Sequence, residues 1–278
     1  MQYFIKNSMR KNMLEAYDES KNLVGEAVIS SFMSSEIFDQ PRLNIYIDIS
    51  VKDMADKIEI KDQLLYELIN RGKTIAKKEK EQIKNLEVKF YHCCFSDDRE
   101  NIEYYSSKEG FKYDEGMHIL KLEIGEDKVE TTQIKEIEFV NLELSDDEEI
   151  NELVKKQGEI FASGYSVDDL KKIESENEYF SIAAKHKGEI VGNVMVIVKE
   201  NEDNSQYGWI DDMFVSKGYR RLGIGRNLML AAINKLRILA VKESRLEVWS
   251  SNIRAIAMYN SVGYKFYEEV ESAIGMFL

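Results

Sequence analysis

The feature that most constrains this chain is that it repeats itself. A gap-free match runs from Ile47–Asn70 (IDISVKDMADKIEIKDQLLYELIN) onto Asp211–Asn234 (DDMFVSKGYRRLGIGRNLMLAAIN), an offset of 164 residues. Asp48 falls on Asp212, Val51 on Val215, Ile60 on Ile224, Leu64 on Leu228, and Ile69-Asn70 on Ile233-Asn234. Upstream, Val24-Gly25 in NLVGEAVISSF corresponds to Val191-Gly192 in EIVGNVMVIVK, and each reads as a turn between two apolar strands. Downstream, Leu86-Glu87-Val88 corresponds to Leu246-Glu247-Val248, and Gly110-Phe111-Lys112 to Gly263-Tyr264-Lys265. Landmarks that recur in one order indicate two copies of one supersecondary plan. A chain of 278 residues is also long enough for two cores. The expected division is a first domain over 1–125, a polar linker over 126–133 within GEDKVETTQ, and a second domain over 134–278.

The second copy is the fuller one. A strand is expected over Ile134–Leu144, followed by a helix in SDDEEINELVKKQGEIF with a Ser145 N-cap and an acidic first turn, then a short helix in SVDDLKKIESE. Strands follow at YFSIAAKH, EIVGNVMVIVK and YGWIDDMFV. A helix is then expected over about Ile224–Lys242, a strand over Ser244–Ser250, a helix over Asn252–Val262 and a closing pair of strands over Tyr264–Leu278. The first copy reads as starting directly at its hairpin, without the two opening helices.

Composition excludes several function classes. The formal charge of −13 opposes nonspecific nucleic-acid binding, which needs cations to displace counterions from phosphates. The same surface tolerates a cationic substrate. No apolar run reaches membrane-spanning length, and the N-terminus has no secretory pattern, so the expected location is the cytoplasm. The adjacent Cys93 and Cys94 suit no loop-closing disulfide and read as free thiols. His92, His118 and His186 are scattered, and no metal is expected.

Chemistry concentrates in VSKGYRRLGIGRNLML. A strand ends at Val215, a short turn follows, and Arg220, Gly223 and Gly225 open a periodic helix. Glycines admit close backbone approach, the first helical N–H groups are unpaired, and the helix dipole favours an anion there. Lys217, Arg220, Arg221 and Arg226 add positive charge in an otherwise acidic chain, which suits a diphosphate.

Arg220, Gly223 and Gly225 fit the pattern Q/R-x-x-G-x-G/A. Asn252, Ala255, Tyr259, Gly263 and Tyr264 in NIRAIAMYNSVGYKFYEE fit N-x-x-A-x-x-x-Y-x-x-x-G-F/Y. With these two segments in order, the region from about Ile134 to Leu278 resembles the GNAT superfamily of acetyl-coenzyme A-dependent N-acetyltransferases. The resemblance implies an α/β (α+β) fold of two tandem GNAT-like domains, each a mixed, mostly antiparallel central sheet flanked by helices.

It also implies acetyl-CoA as co-substrate and a primary amine on a small molecule or peptide as acceptor. The pantetheine arm would pair with backbone at Met213, Phe214 and Val215. The pyrophosphate would sit on Arg220, Arg221, Leu222, Gly223, Ile224, Gly225 and Arg226, and Asn252 would help fix the coenzyme. Tyr259 would protonate the leaving thiolate. On its helical spacing alone, Tyr259 reads equally as a core aromatic.

A protonated amine cannot attack a thioester, so a base or water relay is required. Asp211 and Asp212 are the candidates, and strand alternation would aim them at opposite faces, leaving one toward substrate. Asp211 is preferred, because related enzymes often carry an acidic residue four positions before the strand end. Both also read as plain strand-end polar groups. A non-catalytic acetyl-CoA sensor or scaffold is the alternative function, and a longer acyl donor is a further one.

The first copy lacks this equipment. At the offset of 164, Asp56, Glu59, Lys61 and Asp62 take the places of Arg220, Gly223, Gly225 and Arg226. Carboxylates repel a diphosphate and Cβ atoms obstruct the backbone. Ser106 takes the place of Tyr259, with Tyr105 one residue away. The first copy therefore reads as degenerate.

Overall fold

The computed structural model describes residues 2–34, 38, 40–142, 147–161, 164–176 and 178–278. They form two compact units: Met1–Met117 with Trp249–Asn252 and Glu269–Leu278, and His118–Val248 with Ile253–Glu268. The units follow strand pairing rather than the linear division at 125 and 134. Each takes its last strand from the end of the other copy's sequence.

Unit 1 contains β1 (Phe4–Asn7), β2 (Met13–Tyr17), β3 (Leu23–Ser34), β4 (Arg42–Val51), α1 (Lys57–Gln82), β5 (Glu87–Phe95) and α2 (Arg99–Ser106). β6 (Lys112–Glu123) leaves it, and the chain's final strand β12 (Lys265–Phe277) enters it. The strand order is β1-β2-β3-β4-β5-β12, with only β4–β5 parallel among these neighbours. Glu271–Phe277 of β12 pairs antiparallel with Lys89–Phe95. The closing segment is thus one long strand, not the expected pair. A second difference lies at the start, since β1 and β2 precede the hairpin and only residues 8–12 separate them.

Unit 2 contains the second part of β6, then β7 (Ile137–Leu142), α3 (Asp147–Ile160), α4 (Val167–Glu176), β8 (Glu178–His186), β9 (Glu189–Glu200), β10 (Gln206–Val215), α5 (Ile224–Ile238), β11 (Glu243–Trp249) and α6 (Ile253–Ser261). Its order is β6-β11-β10-β9-β8-β7, and β10–β11 is its parallel step. The two opening helices form where expected, and α3 has Asp147, Glu148 and Glu149 in its first turn. The expected N-cap Ser145 and the strand end at residues 143–144 lie outside the described residues. α5 stops at Ile238, four residues short of the expected end, because Ala240 turns to φ +60°.

Both units place one helix on the sheet by the same contact. Gly25 and Gly192 are not turn residues; they lie inside β3 and β9. A Cβ on Gly25 would stand 3.2 Å from Leu64 Cδ1, and one on Gly192 would stand 3.2 Å from Leu228 Cδ1. Leu64 and Leu228 are the matched pair of the repeat and are fully buried. Glycine here brings the helix close to the strand, a use that local turn rules do not reveal.

The linker run 126–133 has no regular structure and is strapped to α5. Asn227 exchanges two hydrogen bonds with the Thr132 backbone, at 2.6 and 3.0 Å. Asn234 exchanges two with the Val129 backbone, at 2.8 and 3.1 Å. The two asparagines are two helical turns apart, so they lie on one face of α5.

Candidate functional site

Unit 2 is built around a break in its own sheet. β10 pairs with β11 only at Gly208, Trp209 and Ile210. Against β9 the register slips between Ile210 and Asp212, which makes Asp211 a bulge residue. A bulge bends its strand and increases its twist. Past the bulge, no register with β11 is recorded for Asp211–Val215, while those residues still pair with β9 from Asp212 onward.

The bulge also reverses the expectation that Asp211 and Asp212 face opposite ways. Ile210, Met213 and Val215 belong to the core under α5 and α6, whereas Phe214 belongs to the core under α3 and α4. One residue too many between Ile210 and Met213 leaves two side chains on the α3–α4 side. Tyr165 Oη, just before α4, donates to Asp211 Oδ2 at 2.6 Å. Gln157 Nε2, on α3, donates to Asp212 Oδ2 at 2.5 Å.

Asp212 is the more perturbed carboxyl. Burial raises it to about 6; the Asp211 charge adds to the rise and the Gln157 bond opposes it. On the other side of the break stands Tyr259 of α6, only 8% exposed. Its hydroxyl is pushed up to about 12 by burial and by the Asp212 charge. The phenol therefore keeps its proton at neutral pH while Asp212 is poised near neutrality. Packing and function are not alternatives for Tyr259, since it also belongs to the core and lies 6.1 Å, ring to ring, from Tyr264.

The strand then delivers the chain to α5. A 3-10 turn at Lys217–Tyr219 follows β10, and Tyr219 Oη lies 2.8 Å from His186 Nδ1 of β8. Arg220 Nε donates to Val215 O at 3.0 Å, closing the loop on the strand end. Arg221 at φ +65° and Gly223 at φ +85° hold the backbone left-handed. Gly223 caps α5 without a side-chain hydrogen bond, so the first N–H groups of the helix stay open for an anion. Arg221, Leu222 and Arg226 are exposed around that end, and Ile224 is buried as its anchor.

A Cβ on Gly225 would press Met213 Cε at 2.9 Å, a contact that the end of a flexible side chain can relieve. The left-handed Gly223 is thus the stricter requirement. Asn252 immediately precedes α6, with its N–H donating to Trp249 O at 2.8 Å. Among the described residues no group of three or more metal-ligating side chains converges. No described helix is long and apolar enough to cross a membrane.

Three residues stood outside the expected site: Gln157, Tyr165 and Tyr179. Gln157 is 1% exposed, and its Oε1 has no partner. The hydroxyls of Tyr165 and Tyr179 are both held up by burial first and in part by the two aspartates. The available signal was a buried-polar one: α3 carries a glutamine among its apolar face positions, Ile150, Leu153 and Gln157.

Residues 147–264 match the acetyltransferase (GNAT) family. A probable spermine N(1)-acetyltransferase of Bacillus subtilis subsp. natto is 28% identical over 97 residues, covering 34% of this chain and 64% of that protein. A GCN5-related N-acetyltransferase from Sphaerobacter thermophilus shares the fold with a TM-score of 0.51 at 11% identity, over 98% of this chain and 82% of that one. Another, from Anabaena variabilis, gives 0.53 at 10% identity, over 95% and 62%. Residues 147–264 thus carry a GNAT acetyltransferase-family domain, and the chain as a whole shares the fold of the two GCN5-related N-acetyltransferase structures.

Proposed function

We propose that unit 2 is an N-acetyltransferase that moves the acetyl group of acetyl-CoA to a primary amine by direct attack on the thioester. The observation that carries this reading is the bulged strand β10, which parts from β11 and leads through a short turn to a glycine-capped helix N-terminus. The edge of β10 left without a β11 register at Met213, Phe214 and Val215 suits a pantetheine arm, which would pair as an added strand does. The turn from Arg220 to Arg226 suits its pyrophosphate, and Asn252 the neighbouring part of the coenzyme. Acetyl-CoA supplies an activated acyl carbon. The residues of this chain supply position and proton transfer.

Asp212, rather than Asp211, is the base in this reading. Its carboxyl titrates near 6, so it is ionised at neutral pH yet basic enough to take a proton from an ammonium or from a relaying water. Asp211 is held by Tyr165 and contributes charge. Tyr259 protonates the departing thiolate. Unit 1, with carboxylates where unit 2 has its anion turn, binds no coenzyme in this reading, and residues 126–133 join the two catalytically unequal copies.

The test is calorimetric titration with acetyl-CoA, followed by thiol release across a panel of amines. One site per chain with amine-dependent release supports the enzyme. Binding with no release from any amine makes unit 2 an acetyl-CoA sensor, and no binding removes the proposal.

A further inference from the structure

We infer that the acceptor is a diamine, seated by Asp211 and Asp212 together; this rests on the acetyltransferase reading above. The bulge sets both carboxylates toward α3 and α4, where each receives one neutral donor, Tyr165 Oη or Gln157 Nε2. Among the described residues neither carboxylate has an ion-pair partner. The buried Gln157 Oε1 is an acceptor without a donor, on the same amide that holds Asp212. Buried polar atoms are almost always satisfied, so an orphan carbonyl beside two adjacent carboxylates marks a place where donors arrive with a ligand.

The chemistry sorts the two nitrogens. The reacting one must be neutral, so it sheds a proton to Asp212 and from there to solvent. The N–C bond then forms as the C–S bond breaks. Tyr259 gives its proton to the thiolate and regains one from the second proton that the nitrogen sheds. A monoamine consumed this way leaves Asp211 facing an apolar tail. A diamine keeps its second ammonium against Asp211, with Gln157 Oε1 as a further acceptor. Adjacent Cα atoms are about 3.8 Å apart, so a short alkyl spacer spans the two carboxylates.

Steady-state kinetics with 1,4-diaminobutane and with butylamine, equal in carbon number, test this. The diamine is expected to have a kcat/KM at least about tenfold higher, the factor that ~1.4 kcal/mol of charge pairing gives. Asp211→Asn should bring the ratio close to one, mainly through KM for the diamine. Tyr165→Phe, which removes a hydrogen bond but keeps the carboxylate, should retain the preference and controls for loss of local structure. Equal use of the two amines, or a ratio unmoved by Asp211→Asn, would overturn the diamine assignment while leaving the acetyltransferase standing. Acetyl-CoA binding with no turnover of any amine would remove both.

Discussion

The two copies of the strand-turn-helix segment are aligned residue for residue, yet only one has a left-handed glycine cap flanked by arginines at its helix start. In unit 1, β4 pairs with β3 in a single unbroken register from Arg42 to Val51. In unit 2, β10 carries the bulge at Asp211. The parallel pairing ends at equivalent residues, Tyr46 and Ile210, so both units part their central strands at the same level.

What fills the parting differs. In unit 1, His92 of β5 is buried, stacks on Tyr105 with ring centroids 4.4 Å apart, and sets Nδ1 2.8 Å from Ile47 O, the first carbonyl past the last paired residue. The strand register puts Glu247 in the corresponding place in unit 2, and Glu247 is exposed. The helix starts differ too. α1 begins at Lys57, so Glu59 lies within the helix, whereas its counterpart Gly223 is a left-handed cap and α5 begins one residue later. Lys61, in the place of Gly225, is buried over the ring of Tyr104 at 3.9 Å. Unit 1 fills the parting with its own side chains, and unit 2 has no counterpart of the buried His92 there. The lesson is that a shared fold preserves the parting of the strands, while a few residues decide whether the protein's own side chains fill it.

The strongest way to break this comparison is to give unit 2 the residue of unit 1. Gly223→Glu should weaken acetyl-CoA binding by at least about 100-fold, because a side chain at positive φ is strained and its charge repels the diphosphate. Calorimetry on the folded variant checks it, and unchanged affinity would detach the turn from the coenzyme.

Asp212→Asn should lower kcat by about 10² to 10⁴, the range for a lost general base. The wild-type acid limb, with its midpoint at about 6, should vanish in pH–rate profiles. The groups facing that carboxyl are Asp211, Gln157, Tyr165, Tyr179 and Tyr259, and none of the phenols titrates near neutrality. The same variant should be more stable than wild type at pH 8. A carboxyl raised from 3.8 to about 6 opposes folding once ionised; its stabilising contribution is full below 3.8 and is lost as pH rises through about 6. The gain is bounded by about 3 kcal/mol, on the scale of 1.36 kcal/mol per pKa unit. Denaturant melts at pH 4 and pH 8 should differ accordingly.

Tyr259→Phe should lower kcat by about 10 to 100-fold, with little change in coenzyme affinity, as for removal of one proton donor. If stability falls sharply while turnover per folded molecule is kept, the phenol serves packing alone. The smallest effect is expected in unit 1. His92→Glu, which imitates Glu247, should cost about 2 to 3 kcal/mol from burying a poorly paired charge and losing the stack. Coenzyme stoichiometry should stay at one per chain. Because burial lowers the His92 pKa below its ordinary 6.5, wild-type unit 1 should lose stability as pH falls from 6.5 toward that lower value, and the variant should not share this dependence.

Much of this was legible in the residues. The repeat, its offset over β4–α1 and β10–α5, the two opening helices of the second copy and the positions of Arg220 and Gly223 follow from apolar periodicity and from glycine and arginine spacing. Other readings failed where local pattern was asked to fix register. The triplet Leu86-Glu87-Val88 matches Leu246-Glu247-Val248 in letters, but strand pairing sets Tyr91-His92-Cys93 opposite it, five residues further on. Counted from the residue before each helix, Tyr105 and not Ser106 takes the place of Tyr259.

By itself the sequence determined that there are two copies of one plan, that one copy has a glycine- and arginine-rich turn where the other has carboxylates, and that α6 carries a tyrosine. These are properties of single segments, set by periodicity, backbone freedom and charge. The tertiary structure decided which strands complete each unit, that Asp211 and Asp212 share a face, that half-buried Asp212 is hydrogen-bonded by Gln157, and that His92 packs beside the parting of unit 1. Each depends on a register or a burial created by residues distant in the chain, because a one-residue slip reverses every side chain of a strand and leaves no local trace.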